Sequence, residues 1–333
     1  MLTEELRKKV ITVPTEKFKN SLKGKTFSIL GDSTSTGGEL YWGTRATNFY
    51  ASSKVINTGF KDPDNCWWHY LISELGMVLL HNNSWGGRCL TVINDFDDTR
   101  FHGNGEGYGG CHIRELRALG DWSNNNGWGN GHLVEAPDYI LIRLGINDFD
   151  GGKTKDSLDE KAVAYTSEPR LGDYDGSTFM EDIFPKEYLT TVYNHDFAMK
   201  EKVDPLLKDF SKAYALTIFR LQMMYPNSKI YCCTINPFDA NGKRANFYPE
   251  QDDGTDHSVN YPHLVQSLTD FNNRIRQIAK PFGCGIIEHA QCGITYNNFN
   301  ETMFRESDGR YLHQNKLGSK LMGQATIRAL AYT

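Results

Sequence analysis

Four residues of this 333-residue chain have the types and settings that nucleophilic acyl chemistry requires. Ser33 lies in Gly31-Asp32-Ser33-Thr34-Ser35, directly after the apolar run from Lys25 to Leu30, where a turn can project its hydroxyl past a strand end. A serine hydroxyl attacks a carbonyl only when a base takes its proton and nearby donors hold the developing oxyanion. Gly87, in Asn83-Ser84-Trp85-Gly86-Gly87, offers a backbone N–H that no side chain shields. Asn147, in Gly145-Ile146-Asn147-Asp148, offers a side-chain amide, and the Ser33 N–H completes a three-donor oxyanion hole. His313 lies immediately before the last helical pattern, on a loop that can return across the strand ends and serve as the base. Each has a plainer alternative. Gly-Asp-Ser is ordinary turn chemistry, Gly87 can belong to a loop, Asn147 to a cap or Asx turn, and a lone histidine to structure.

The elements that must position these residues follow from the periodicity. Apolar runs predict strands at residues 25–30, 77–80, 138–144, 228–235 and 285–288. Helical spacing predicts helices over 64–75, 205–224, 262–279 and 317–330, the first stopped by Gly76. Apolar strands alternating with helices indicate an α/β fold with a parallel sheet covered on both faces, and such sheets bind ligands beyond the carboxyl ends of their strands. Three of the predicted strands end in the clusters that hold Ser33, Gly87 and Asn147.

These blocks, with His313-Gln314-Asn315 last in order, resemble those of the GDSL/SGNH hydrolase family across roughly residues 25–330. The resemblance implies a three-layer αβα sandwich with a flavodoxin-like parallel sheet of about five strands. It implies an esterase or acyl-hydrolase site with Ser33 as nucleophile, His313 as base, and Ser33, Gly87 and Asn147 as oxyanion donors. The family usually carries Asp three residues before its histidine, where this chain has Arg310. Asp308 is the nearest carboxylate able to orient the imidazole; the alternative is a backbone carbonyl and a Ser–His dyad. The family commonly has Pro where this chain has Gln314, a change expected to affect loop stiffness more than chemistry.

The domain expectation is an N-terminal extension over residues 1–22 and a single domain over 23–333, with insertions at about 97–133, 149–200 and 237–262. Much of the surplus among the 31 glycines falls in the first insertion, beside Trp122 and Trp128. Tryptophan faces stack on sugar rings and Asn amides bond sugar hydroxyls. With the family resemblance, Trp85, Trp122 and Trp128 therefore point to removal of acetyl groups from O-acetylated saccharides. The plainer role for each ring is to pack the long loops. A short-chain lipase or thioesterase is a competing reading, although residues 97–133 lack the aliphatic character of a lipase lid. A non-catalytic carbohydrate-binding protein on the same fold is the alternative from another class.

Composition narrows the partners. A net charge of −5 argues against a nucleic-acid protein, which usually shows a concentrated basic face, and no stretch approaches the ~20 apolar residues of a spanning helix. The expected partner is a small-molecule or oligosaccharide ester; the sequence leaves the oligomeric state open. Seven cysteines without a Cys-x-x-Cys pair read as buried free thiols of a reducing cytoplasm, and residues 1–20 lack the apolar core of a secretory signal unless a leader has been trimmed. No cofactor is expected and no metal. Cys111-His112 and His132 lack zinc spacing, and Asp148, Asp150, Asp173 and Asp175 do not form a calcium loop.

Overall fold

A computed structural model describes residues 21–35, 66–85, 90, 136–146, 148, 171–178, 210–238, 268–305 and 311–331. Within them lie five strands: β1 (Thr26–Asp32), β2 (Val78–Trp85), β3 (Tyr139–Arg143), β4 (Lys229–Cys233) and β5 (Gly285–Ile287). They form one sheet in the order β2-β1-β3-β4-β5, and every neighbouring pair is parallel. This is the flavodoxin-like order, whose direction of winding switches between β1 and β3, so a crevice opens beyond the carboxyl ends of those two strands.

Two helix pairs cover the sheet. Helix α1 (His69–Leu75) packs on α5 (Lys316–Ala331), which also lies over β5. Helix α2 (Phe210–Met224) packs on α3 (Leu268–Ala279), which crosses β4. A short helix, α4 (Phe299–Thr302), leads into the loop before α5. Burial on both faces explains the near-continuous apolar character of β1, β3 and β4: Phe27, Ile29, Leu30, Ile140, Leu141, Ile142 and Cys232 are all fully buried. Among the described residues no helix is long and apolar enough to cross a membrane.

The registers of β1 and β3 are pinned at their amino ends by Asp138. Its Oδ2 accepts the Thr26 N–H at 2.8 Å and the Thr26 hydroxyl at 3.0 Å, while Oδ1 takes Lys25 Nζ at 2.8 Å. Burial raises the affinity of this carboxyl for a proton, but the bonds from Lys25 and Thr26 together outweigh it and hold the group below the usual aspartate range.

Element boundaries depart from the sequence expectation most where they bear on the site. The first strand continues through Gly31-Asp32, and the second runs five residues beyond Leu80, through His81-Asn-Asn-Ser-Trp85. Polar residues persist in β2 because a register shift skips Leu80: Phe27 pairs with Leu79, but Ser28 pairs with His81. That extra residue re-aims the alternation, so that Asn82 and Ser84 are buried beside Ile29 and Gly31. The first helix is also shorter than its apolar pattern, because Trp67 and Trp68 stand in the turn that precedes it.

Candidate active site

Ser33 opens a single 3-10 turn, Ser33–Ser35, at the carboxyl end of β1. From Phe27 to Ser35 every residue is buried except Ser33, which is half-buried. The turn is shaped locally by Asp32, whose Oδ1 accepts the Thr34 N–H at 2.9 Å and the Thr34 hydroxyl at 2.6 Å. This is an Asx-type closure, and it leaves the serine at the corner. Gly31 is required by the close approach of β2. A Cβ built there would stand 2.5 Å from Ser84 Oγ and 2.9 Å from Ser35 Cβ, closer than real contacts allow.

Other elements then fix the turn from outside. Trp68 Nε1 donates to the Ser35 carbonyl at 2.8 Å and Asn82 Nδ2 donates to the same oxygen at 2.9 Å. Trp67 Nε1 donates to Ser35 Oγ at 3.1 Å, and Ser84 Oγ donates to Asn82 Oδ1, orienting that amide. The two indoles read as apolar helix positions in the sequence; their N–H groups were the signal, because a buried tryptophan nitrogen needs an acceptor.

At the end of β3 stands Arg143, which is fully buried and pairs in register with Gly31. Its Nη2 donates to Asn236 Oδ1, and Asn236 Nδ2 donates in turn to the Pro237 carbonyl at 2.8 Å. The charge of this guanidinium is felt by its neighbours. Burial first, then Arg143, drives the affinity of His289 for a proton well below the usual histidine range. Burial pushes the Cys233 thiol up to about 12, with Arg143 pulling down and Asp32 pushing up. Sequence analysis passed over Arg143 because it interrupts an otherwise apolar strand by only one residue. Two residues later Gly145 adopts a φ of 119°, a conformation that lets the chain turn away from β3 into the Ile146-Asn147-Asp148 block. Asp148 is buried, and its Oδ2 accepts the Leu90 N–H at 3.0 Å.

The histidine loop is held on its own side of the molecule by backbone bonds. Phe304 N–H donates to the His313 carbonyl at 2.8 Å, Asn315 N–H donates to the Thr302 carbonyl at 3.0 Å, and Met303 and Gln314 form an antiparallel bridge. Asn315 caps α5, its Oδ1 accepting the N–H groups of Leu317 at 2.9 Å and Gly318 at 3.2 Å. His313 is buried to 2% exposure. Across the crevice, Gln314 Nε2 donates to the Thr34 carbonyl at 2.6 Å, joining the residue after His313 to the residue after Ser33.

Of the residues singled out by sequence, Ser33 and His313 therefore lie on two segments that are bonded to each other at the carboxyl edge of the sheet. Gly87, Asn147, Asp308, Trp122 and Trp128 lie outside the described residues, and Trp85 is placed only by its pairing with Asp32. The insertion at 97–133 is likewise outside them, while 149–200 is described only at 171–178 and 237–262 only at its first two residues. Among the described residues no cluster of three His, Cys, Asp or Glu could hold a metal ion.

Residues 25–155 match a family model described as GDSL-like Lipase/Acylhydrolase. That segment is GDSL-like. It spans β1, β2 and β3 and contains Ser33, Gly87 and Asn147, whereas His313 lies beyond it. No curated protein matches the sequence. Among solved structures, one superimposes with a TM-score of 0.50 at 17% identity, covering 94% of this chain and 99% of its own. A candidate GDSL-like lipase from Bacteroides ovatus ATCC 8483 gives 0.46 at 19% identity, over 93% of this chain and all 100% of its own. Est24, a carbohydrate acetylesterase from Sinorhizobium meliloti, gives 0.45 at 10% identity, over 92% and 99%. The likeness to the first of these structures is one of fold, and the family match is confined to residues 25–155.

Proposed function

We infer that the chain is a serine ester hydrolase that removes short acyl groups, acetyl in particular, from O-acetylated saccharides. The observation that carries this reading is the half-buried Ser33 on an otherwise buried, externally braced turn, bonded through Gln314 to the loop that bears His313. A nucleophile needs this combination: a hydroxyl that solvent and substrate can reach, on a support that does not yield.

In the proposed reaction His313 takes the Ser33 proton as Oγ bonds to the ester carbonyl carbon. The N–H groups of Ser33 and Gly87 and the Asn147 amide hold the oxyanion. His313 then gives its proton to the departing alkoxide as the carbon–oxygen bond breaks, leaving an acyl-enzyme and an alcohol. Water, deprotonated by His313, attacks the acyl carbon; the proton returns to Ser33 Oγ, and the carboxylic acid leaves. Asp308 orients the imidazole in the triad version of the site. Saccharide specificity rests on Trp85, Trp122 and Trp128 with the Asn-rich stretch between residues 97 and 133, whose rings and amides suit sugar faces and hydroxyls.

The test is acetate release from acetylated xylan, mannan and pectin oligosaccharides by the wild-type chain and by Ser33→Ala. The expected result is release by the wild type on at least one sugar and none by the variant, with the fold kept. Full turnover by Ser33→Ala removes the serine mechanism. Hydrolysis of aryl acetates with none of the sugars removes the saccharide substrate. Asn147→Ala should lower kcat by ~10²- to 10³-fold, the effect of losing one oxyanion donor.

A further inference from the structure

Proton transfer between Ser33 and His313 requires their reacting atoms to meet within about 2.6–3.2 Å, directly or through one water. The two residues begin 280 positions apart in sequence, and the fold must supply that accuracy. Most of what holds the histidine loop is local to it. The bonds from Phe304 and Asn315, the Met303–Gln314 bridge and the Asn315 cap all tie residues 311–318 to α4 and α5. They fix the loop against its own neighbours and say nothing about its distance from β1.

The nucleophile turn is held in a corresponding way by its own surroundings. Asp32, Trp67, Trp68 and Asn82 bond to Thr34 and Ser35 from β1, β2 and the turn before α1. Between these two separately braced bodies runs the 2.6 Å bond from Gln314 Nε2 to the Thr34 carbonyl. Gln314 is only 1% exposed, so water does not compete for that oxygen. The two ends of the bond are each one residue from the reacting side chains. Gln314 is also the position at which the chain departs from the proline common in the family it resembles, and a proline has no side-chain donor to offer Thr34. The Gln314 bond gives this departure a structural role beside the change in loop stiffness.

We propose that Gln314 is a positioning residue, whose amide joins the histidine loop to the nucleophile turn and so sets the approach of the His313 imidazole to Ser33 Oγ. This rests on the ester-hydrolase reading of Ser33 and His313 given above.

The experiment compares the full chain with Gln314→Met, which keeps the side-chain length but cannot donate, and Gln314→Glu, which presents a carboxylate oxygen to the Thr34 carbonyl. Three quantities are measured: kcat and KM on an aryl acetate, the rate of Ser33 labelling by a fluorophosphonate, and hydrogen exchange in peptides covering residues 33–35 and 311–315. Both variants are expected to fold, with kcat and labelling rate down by about 10- to 100-fold, the scale of a misplaced reacting group. KM should stay within about two-fold, since the substrate pocket is untouched, and exchange should rise in both segments together. Labelling of Gln314→Met at the wild-type rate, or exchange unchanged in residues 33–35, overturns the proposal. If the wild-type chain itself is not labelled at Ser33, the ester-hydrolase reading fails, and the exchange result alone then decides whether Gln314 joins the two segments.

Discussion

Asp148 Oδ2 accepts the Leu90 N–H at 3.0 Å, a buried bond between residues 58 apart in sequence. It joins the block that holds Asn147 to the stretch that follows Gly86-Gly87, so two of the proposed oxyanion donors come from segments linked by one carboxylate. Asp148→Ala is expected to lower kcat on an aryl acetate by about 10- to 100-fold with a smaller change in KM, because donors that are no longer held stabilise the transition state less than the ground-state ester suggests. Asp148→Asn, which keeps an accepting oxygen, should retain more activity than the alanine variant. Equal loss in both would assign the effect to the negative charge instead of the bond.

Gly31→Ala tests the close approach of β1 and β2. A methyl group 2.5 Å from Ser84 Oγ and 2.9 Å from Ser35 Cβ must displace one of them. Because Ser84 orients Asn82 and Asn82 holds the Ser35 carbonyl, the displacement reaches the turn that bears Ser33. Overpacking of this kind costs about 1–3 kcal/mol. The expected outcome is a lower melting temperature together with slower fluorophosphonate labelling of Ser33, read by calorimetry and mass spectrometry.

Trp68→Phe keeps an aromatic ring at this buried position but removes part of the indole with the N–H that reaches Ser35 at 2.8 Å. Asn82 still donates to that carbonyl, so the oxygen is not orphaned. The expected loss, measured by urea unfolding, exceeds the about 0.5–1.5 kcal/mol of one hydrogen bond, because the smaller ring also leaves a cavity. Combining it with Asn82→Ala should cost more than the sum, because only then do both side-chain donors to that oxygen go.

His289 gives a prediction in pH. Burial, followed by the Arg143 charge, depresses its affinity for a proton in the folded chain, and its Nε2 lies 2.9 Å from Thr326 Oγ1. In the unfolded chain the imidazole titrates near ~6.5. Below that pH the unfolded state binds a proton that the folded state does not, so this contribution to stability is complete above ~6.5 and is lost as pH falls toward the folded value. The slope is at most about 1.4 kcal/mol per pH unit for one group. Denaturant unfolding between pH 5 and 7.5, ranges chosen about the ~6.5 reference, should show a shallower acid slope in His289→Gln than in the wild type. Identical slopes would mean that His289 does not titrate on unfolding.

What the sequence made legible follows the physics of each signal. β1, β3 and β4 announce themselves because strands buried on both faces must be apolar, and small-polar clusters stand at the ends of β1 and β3. The far half of β2 was hidden, since Asn82 and Ser84 are chosen for hydrogen bonding and look like loop. Trp67 and Trp68 were read as packing because hydropathy counts their rings and ignores their N–H groups. Arg143 is invisible to periodicity, and the Gln314–Thr34 bond depends on a contact across 280 residues that no local pattern encodes. Ser33 and His313 were legible as residues; the framework that braces them was not.

The skipped residue in β2 divides that strand into two phases of a two-residue rhythm. Before Leu80 the inward positions serve the hydrophobic core; after it they serve the turn that bears Ser33. Deletion of Leu80 would join Leu79 directly to His81 opposite Phe27 and Ser28, which are already consecutive, and would leave Asn82 and Ser84 paired with Ile29 and Gly31. Position 80 is therefore the place in this strand where a missing letter disturbs the later pairs no more than a changed one, whereas a letter lost between Asn82 and Ser84 breaks the pairing that serves Ser35.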